Sequence, residues 1–313
     1  MFTCVDEAII DCTIKALEEC FKSTLSVNSG THHDYLGMHW NFAIPGEVKV
    51  TMEGFINDLI AEAGVEGNAI SPAANYLFEV RDDAPKLDKQ QKENFHTLVA
   101  KALYLSKRVR PDLLLTVSFL TTRVLNPDTD DLNKLNRMIR YLNESKSLGI
   151  ILRATPETQI QAFIDASFGI HADFKSHTGM YITLGHGPIE AKSTKQKLNT
   201  KSSTEAELVA LSDMSSRVIW CRNFLLAQGE PDHPARIYQD NLSTKSLAER
   251  GAAASDRTRH VSLRYFWIKD RMESGDVEVV YKPTNEMVAD ILTKPLQGEH
   301  FKRLRDLLLN WQY

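Results

Sequence analysis

Cysteine is scarce in this sequence: its 313 residues include four, Cys4, Cys12, Cys20 and Cys221, and none stands in a C-x-x-C pair. That excludes a disulfide-stapled secreted scaffold and a cysteine-built zinc site, and His32-His33 has no companion cysteines at zinc spacing. No early stretch joins a basic start to an apolar run and a small-residue cleavage site, so an intracellular setting, cytoplasmic or nuclear and not secreted, is expected. Long apolar runs are missing too. The longest, around Leu113 to Leu120, is interrupted by Thr116 and Ser118 and falls well short of the roughly 20 residues that span a bilayer, so no membrane contact is expected. Neither charge sign dominates: a formal net charge of −4 means that any polyanion partner must be held by local clusters of Lys and Arg. Internal repeats and low-complexity tracts are also absent. Gly185-His-Gly187-Pro188 is followed by a strand-like run, which excludes a dinucleotide loop.

What is present fits two domains of ordinary size, with 42% hydrophobic and 25% charged residues. A helical pattern (Ile14, Leu17, Cys20, Phe21, Leu25) follows the start so closely that the chain is expected to begin inside a domain. Alternation over Asp34–Phe42 and Glu47–Met52 predicts a hairpin around Ile44-Pro45-Gly46, and Phe55, Leu59, Ile60 and Ala63 mark an amphipathic helix. Residues Ser71 to Lys89 read as a linker or exposed loop. Gln91 to Ser145 has helical periodicity divided by Pro111 and Pro127.

The period changes near Leu148, which places a domain boundary about residue 150. Beyond it the chain reads as strands Ile160–Asp165, Gly179–Leu184 and Ile189–Ser193, helix Thr204–Gln228 and strand Arg236–Asp240. Two helices (the second Ser255–Met272), strand Val277–Lys282 and helix Glu286–Leu292 follow. Three successive strands, then alternating helices and strands, predict an α/β domain with a mixed sheet flanked by helices.

Four acids stand out because they occupy apolar patterns. Asp165 shares a strand face with Phe163; Glu207 lines up with Leu211, Met214 and Val218; Asp240 ends a strand; Asp290 lies between Val288-Ala289 and Ile291-Leu292. Read singly, each has an ordinary explanation. Asp165 could end a strand, Asp240-Asn241 could start a turn, Glu207 could close a capping box with Thr204, and Asp290 could be a solvated helical acid. Read together, with no matching buried cation, they point to oxygen ligation of two Mg²⁺ or Mn²⁺ ions and to phosphodiester hydrolysis.

The ordered series Phe163-Ile-Asp-Ala-Ser-Phe-Gly169, Ser176-His-Thr-Gly-Met-Tyr181, Lys192-Ser-Thr-Lys-Gln196, Ser202-Ser-Thr-Glu-Ala-Glu-Leu208, Asp240-Asn241, Arg259-His-Val-Ser-Leu-Arg-Tyr265 and Ala289-Asp-Ile-Leu-Thr-Lys-Pro-Leu296 resembles the RNase H domain of Copia-type LTR retrotransposon Pol polyproteins. The first half resembles the end of that polyprotein's reverse transcriptase, through Tyr35-Leu-Gly37, Phe95-His-Thr-Leu-Val-Ala-Lys-Ala-Leu-Tyr-Leu105, Arg110-Pro-Asp112 and Arg140-Tyr-Leu142. The resemblance implies an RNase H-like domain over residues 151–313, preceded over 1–150 by a mostly helical α+β remnant of a reverse transcriptase. It implies Asp165, Glu207, Asp240 and Asp290 as catalytic carboxylates and metal ligands, and the upstream reverse transcriptase segment as a partner.

Departures from the family pattern are specific. Its Y-x-D-D hairpin has no counterpart, since Cys4-Val-Asp6-Glu7 stands too close to Tyr35-Leu-Gly37, so polymerase activity is not expected of this chain. Ser167-Phe168 replaces a common Asp-Trp pair. Lys282-Pro-Thr-Asn285 offers no histidine before the last acid, which leaves His260 as the nearest assisting candidate beside the reading that it is a surface histidine. Lys192, Lys195, Lys197 and Lys201 precede the Glu207 helix, and a second basic group, Lys245, Arg250, Arg257, Arg259, Arg264, Lys269 and Arg271, follows Asp240. Each could be a solvated face; together they suit phosphate contacts to an RNA–DNA hybrid. The competing reading is a catalytically silent fragment that only binds nucleic acid or another protein.

Overall fold

The computed structural model describes residues 6–250 and 259–311. After helix α1 (Glu7–Phe21), capped by Asp6, come strands β1 (His32–Tyr35), β2 (Met38–Asn41) and β3 (Val48–Thr51). The alternation over 34–42 is therefore not one strand but most of a tight hairpin. Leu36 and Gly37 both take positive φ, 52° and 74°, which a two-residue turn matched to the strand twist requires. Helices α2 (Glu53–Ala63), α3 (Lys89–Arg108), α4 (Leu114–Thr121) and α5 (Thr129–Glu144) complete the first half. Residues 71–89 are irregular as expected but do not form an exposed linker, because Ser71, Ala73, Leu77 and Ala84 are buried.

Helix α4 contains the longest apolar run, and its burial explains that composition. It touches α3 and α5 on one side and the second half's sheet on the other, so it is apolar nearly all round. Beside it lies a fully buried ion pair. Arg110 donates to both oxygens of Asp112 at 3.0 and 2.8 Å, Tyr141 donates to Asp112 at 2.6 Å, and Arg110 also donates to the Ser145 carbonyl. Burial alone would raise the Asp112 pKa, but the charge and hydrogen bonds of Arg110 outweigh it and hold the carboxyl below its ordinary value.

Strand β4 (Ile150–Ala154) crosses the position expected for a domain boundary. It pairs with β3 on one edge and with the short β7 (Gly185–His186) on the other, giving a sheet ordered β1-β2-β3-β4-β7. The second sheet comprises β5 (Gln161–Ser167), β6 (His177–Thr183), β8 (Glu190–Lys195), β9 (Ala235–Gln239) and β10 (Val277–Tyr281), ordered β10-β9-β5-β6-β8. Strands β8, β6 and β5 are antiparallel, and β5, β9 and β10 are parallel. This is the mixed sheet that the sequence pattern predicts.

One face of that sheet (Ala162, Ile164, Met180, Ile182, Ile237) forms a core with α6 (Ser203–Ala227), α7 (Leu242–Arg250) and α8 (Arg259–Glu273). The other face (Phe163, Tyr181, Tyr238) joins the core of the first half, together with Val288–Leu292 and the last helix α9 (Gly298–Leu309). Glu286–Leu292 is not the expected α-helix. It is two short 3-10 turns, Thr284–Glu286 and Val288–Leu292, that follow Pro283.

Asp112→Asn should leave Arg110 buried without its counter-charge and cost about 3–5 kcal/mol in urea unfolding, whereas replacing both partners by apolar residues should recover most of that loss. A single-variant loss under about 1 kcal/mol would contradict a structural role for this pair.

Candidate active site

Parallel pairing of β5 with β9 sets the first two acids side by side. The register Phe163↔Tyr238, continued by two residues, brings Asp165 level with Asp240 on the same face. The third acid arrives from above. Asp165 pairs across β6 with Gly179, and a Cβ at Gly179 would lie 2.7 Å from Thr293 Cγ2, 2.9 Å from Leu292 Cβ and 3.0 Å from the Ala289 carbonyl. The missing side chain lets residues 289–293 press onto the sheet.

Three polar contacts fix that segment. Ser193 donates to the Leu292 carbonyl at 2.8 Å, Ser167 donates to the Thr293 carbonyl at 3.0 Å, and the Thr293 hydroxyl donates to Asp165. Ser167, a departure from the family's Asp-Trp pair, is thus one of the clamps. Buried behind Ser193 is a histidine pair: His177 Nε2 lies 2.7 Å from Ser193 Oγ, and its Nδ1 lies 3.0 Å from His171 Nε2. Burial pushes His171 down to about 4 and His177 to about 3, keeping both neutral near pH 7.

As a result, oxygen atoms of Asp165, Asp240 and Asp290 all lie within 4.8 Å of one another. Among the described residues this grouping does not extend to Glu207, which approaches the same strand ends from the helical face. Glu207 is buried, and its carboxyl accepts from Gln239 Nε2 at 3.3 Å. Its alignment with Leu211, Met214 and Val218 holds, as all four are buried on α6. The cap is made by other residues than Thr204 and Glu207. Ser202 accepts from the Glu205 amide, and the Glu205 carboxyl turns back to the Lys201 amide.

Burial disfavours the charged forms of three acids here, Asp165, Glu207 and Asp290. Burial, reinforced for Glu207 by Asp165 and Asp240, raises the pKa of Asp165 and raises that of Glu207 well above its usual value. Burial and the neighbouring Asp165 push Asp290 up to about 7. A cation also sits here, contrary to the sequence reading of acids without one. Lys294 Nζ is 2.8 Å from Asp290 and 3.5 Å from Asp165. Its position four residues after Asp290 in a helical pattern was the available signal, and Thr293, Gly179, Gln239 and Thr284, which donates to Asp240 at 2.7 Å, were likewise missed.

The basic residues separate into distinct groups. Lys192 and Lys195, three apart on β8, point to opposite faces of the sheet. Lys195 pairs with Asp173 at 2.7 Å, while Lys192 lies close enough to Lys107 to lower the latter's pKa, an effect added to burial. Lys197 and Lys201 are exposed in the loop leading to α6. In the second basic group Lys245, Arg264, Lys269 and Arg271 are paired with neighbouring acids, which corrects the impression of a free basic surface there. Arg257 lies outside the described residues, as do the side chains of Arg259 and His260.

These shifts predict a pH-dependent effect. An acid whose pKa rises from 3.8 unfolded to about 7 folded stabilises the protein below the lower value, and that contribution is lost as pH rises through the upper one. The depressed histidines act oppositely, their contribution being lost as pH falls below about 6.5, so wild type and variant must be compared at the same pH. In chelator, Asp290→Asn should exceed wild-type stability by about 1–3 kcal/mol at pH 8, with the gain shrinking toward pH 4. A variant less stable at pH 8 would contradict the shift.

No family model matches the chain. Over 195 residues it is 36% identical to the retrovirus-related Pol polyprotein from transposon RE2 of Arabidopsis thaliana, covering 62% of this chain and 13% of that protein. Over 284 residues it is 25% identical to the transposon Ty1-DR5 Gag-Pol polyprotein of Saccharomyces cerevisiae, covering 87% of this chain and 16% of that protein. The chain therefore spans only about one-sixth or less of these relatives' length. Among solved structures, LC11-RNase H1 from compost superposes with a TM-score of 0.35 and 14% identity, covering 44% of this chain and 93% of that one. The ordered motifs and these alignments identify the homologues of this chain as retrovirus-related Pol polyproteins of Copia-type transposons.

Proposed function

We propose that residues 151–313 form a ribonuclease H that cuts the RNA strand of RNA–DNA hybrids, and that residues 1–150 are the end of a reverse transcriptase whose upstream segment is its natural partner. The observation that carries this reading is the convergence of Asp165, Asp240 and Asp290 within 4.8 Å, with Glu207 buried beside them. The donor set is all oxygen and, among the described residues, the acids outnumber the cation Lys294, which fits Mg²⁺ or Mn²⁺ and not zinc. Asp165, Glu207, Asp240 and Asp290 would hold two such ions. When bound, the ions supply an activated water and charge stabilisation on the leaving oxygen.

The chain's own residues do the positioning. Thr293 and Thr284 orient Asp165 and Asp240 through their hydroxyls, and Gln239 orients Glu207. Lys197 and Lys201, exposed in the loop after β8, would track phosphates without reading bases, and Lys195 would join them on release from Asp173. Lys192, which points to the opposite face of β8, lies off this track. Discrimination of RNA would rest on its 2′-hydroxyls and on duplex shape.

The full chain should cleave the RNA strand of a hybrid in Mg²⁺ or Mn²⁺ and not in chelator, with Asp165→Asn and Asp240→Asn each abolishing cleavage. Hybrid bound but uncut by wild type in either metal would favour the silent module. Glu207→Gln should remove cleavage with little change in melting temperature, because its side chain serves the site. Glu205→Gln, on the opposite side of the helix about 200° away, should cleave normally and lose at most about 1 kcal/mol of capping stability. The reverse pattern would reassign the catalytic glutamate.

A further inference from the structure

Lys294 occupies a position that neither the RNase H reading nor the sheet geometry requires. Its ammonium bridges Asp290 at 2.8 Å and Asp165 at 3.5 Å, two carboxylates that are otherwise almost wholly buried. The lysine side chain itself is 36% exposed, so it reaches the acids from the solvent side and has an open path out. It follows Thr293, whose hydroxyl holds the other oxygen of Asp165, and the 3-10 turn that presents Asp290 ends at Leu292. One short segment thus supplies an acid, the orienting hydroxyl and a removable cation.

We propose that Lys294 is a built-in counter-ion that holds Asp165 and Asp290 together in the metal-free protein, competes with the divalent ion for them, and swings toward solvent when that ion binds. The proposal rests on the reading of these carboxylates as metal ligands. A monovalent ammonium and a divalent cation cannot share oxygens this close without strong mutual repulsion, whereas two buried carboxylates with neither cation repel each other. Lys294 therefore holds the two acids together when no divalent ion is bound, at the expense of metal affinity. Its long, flexible stem allows the exchange without backbone motion, which an arginine fork gripping both oxygens would resist.

The test compares full-length wild type with Lys294→Met by calorimetric Mn²⁺ titration and by melting in chelator and in saturating Mn²⁺. Lys294→Met should bind Mn²⁺ about tenfold or more tightly than wild type, melt lower in chelator, and regain wild-type melting at saturating Mn²⁺. Equal or weaker Mn²⁺ binding by Lys294→Met would overturn the competition. Failure of both proteins to bind Mn²⁺ while folded would instead overturn the metal-site reading beneath it.

Should Lys294→Met not fold in chelator, wild type alone decides the matter through acetylation of Lys294 followed by mass spectrometry. Labelling of Lys294 should rise several-fold on adding Mn²⁺, while an exposed lysine such as Lys197 should not change. Equal labelling in both conditions would contradict displacement.

Discussion

Two carboxylates buried against each other at the end of a sheet cannot both keep their charge without a cation between them, and much of the local architecture answers that constraint. Asp165 enters on β5 because its strand is paired on both sides, and Asp290 is pressed onto it where Gly179 leaves no side chain. Burial raises the pKa of both acids, and Lys294 and Thr293 partly offset the effect. A protein seeking only stability would have apolar residues here. Retaining several acids is understandable if the arrangement serves a charge that the chain does not itself carry.

The same constraint ties the two halves together. Residues 288–292 contribute to the core that contains α3, α4 and α5, and α9 places Phe301 edge-on to Tyr141 at 5.6 Å. Tyr141 in turn hydrogen-bonds Asp112 of the buried ion pair. The Arg110–Asp112 ion pair, Tyr141 and Leu142 thus form the floor on which the C-terminal segment rests. Asp290 is held by its own strand-end neighbours and by helices from the other half of the chain.

The sheet was largely legible because short strand-like runs replace the helical period after about residue 150, and Asp165 puts a carboxylate into one that is buried on both faces. Glu207 was legible for the same reason, as its alignment with Leu211, Met214 and Val218 put a carboxylate where a helix buries apolar groups. Strand β4 was missed because its pairing partners, β3 and β7, lie far away in sequence, and local periodicity carries no trace of them. The Leu36-Gly37 turn was hidden by apolar alternation continuing on either side. The segment around Asp290 has helical spacing but short 3-10 turns, since contact with Gly179 and the clamps at Ser167 and Ser193 decides its backbone. Lys294 escaped notice because burial of a cation depends on which acids the fold brings to it, and Asp165 lies 129 positions earlier in the chain.

The central claim is that Asp165, Asp240, Asp290 and Glu207 together form a divalent-metal centre. Anomalous X-ray scattering from crystals grown with Mn²⁺ measures this most directly. The account predicts an anomalous peak about 2.1 Å from an Asp165 carboxylate oxygen, with Asp240 or Asp290 completing the coordination. Crystals that bind Mn²⁺ only at other acids, or hold none while Lys294 remains between Asp165 and Asp290 at saturating Mn²⁺, would contradict it.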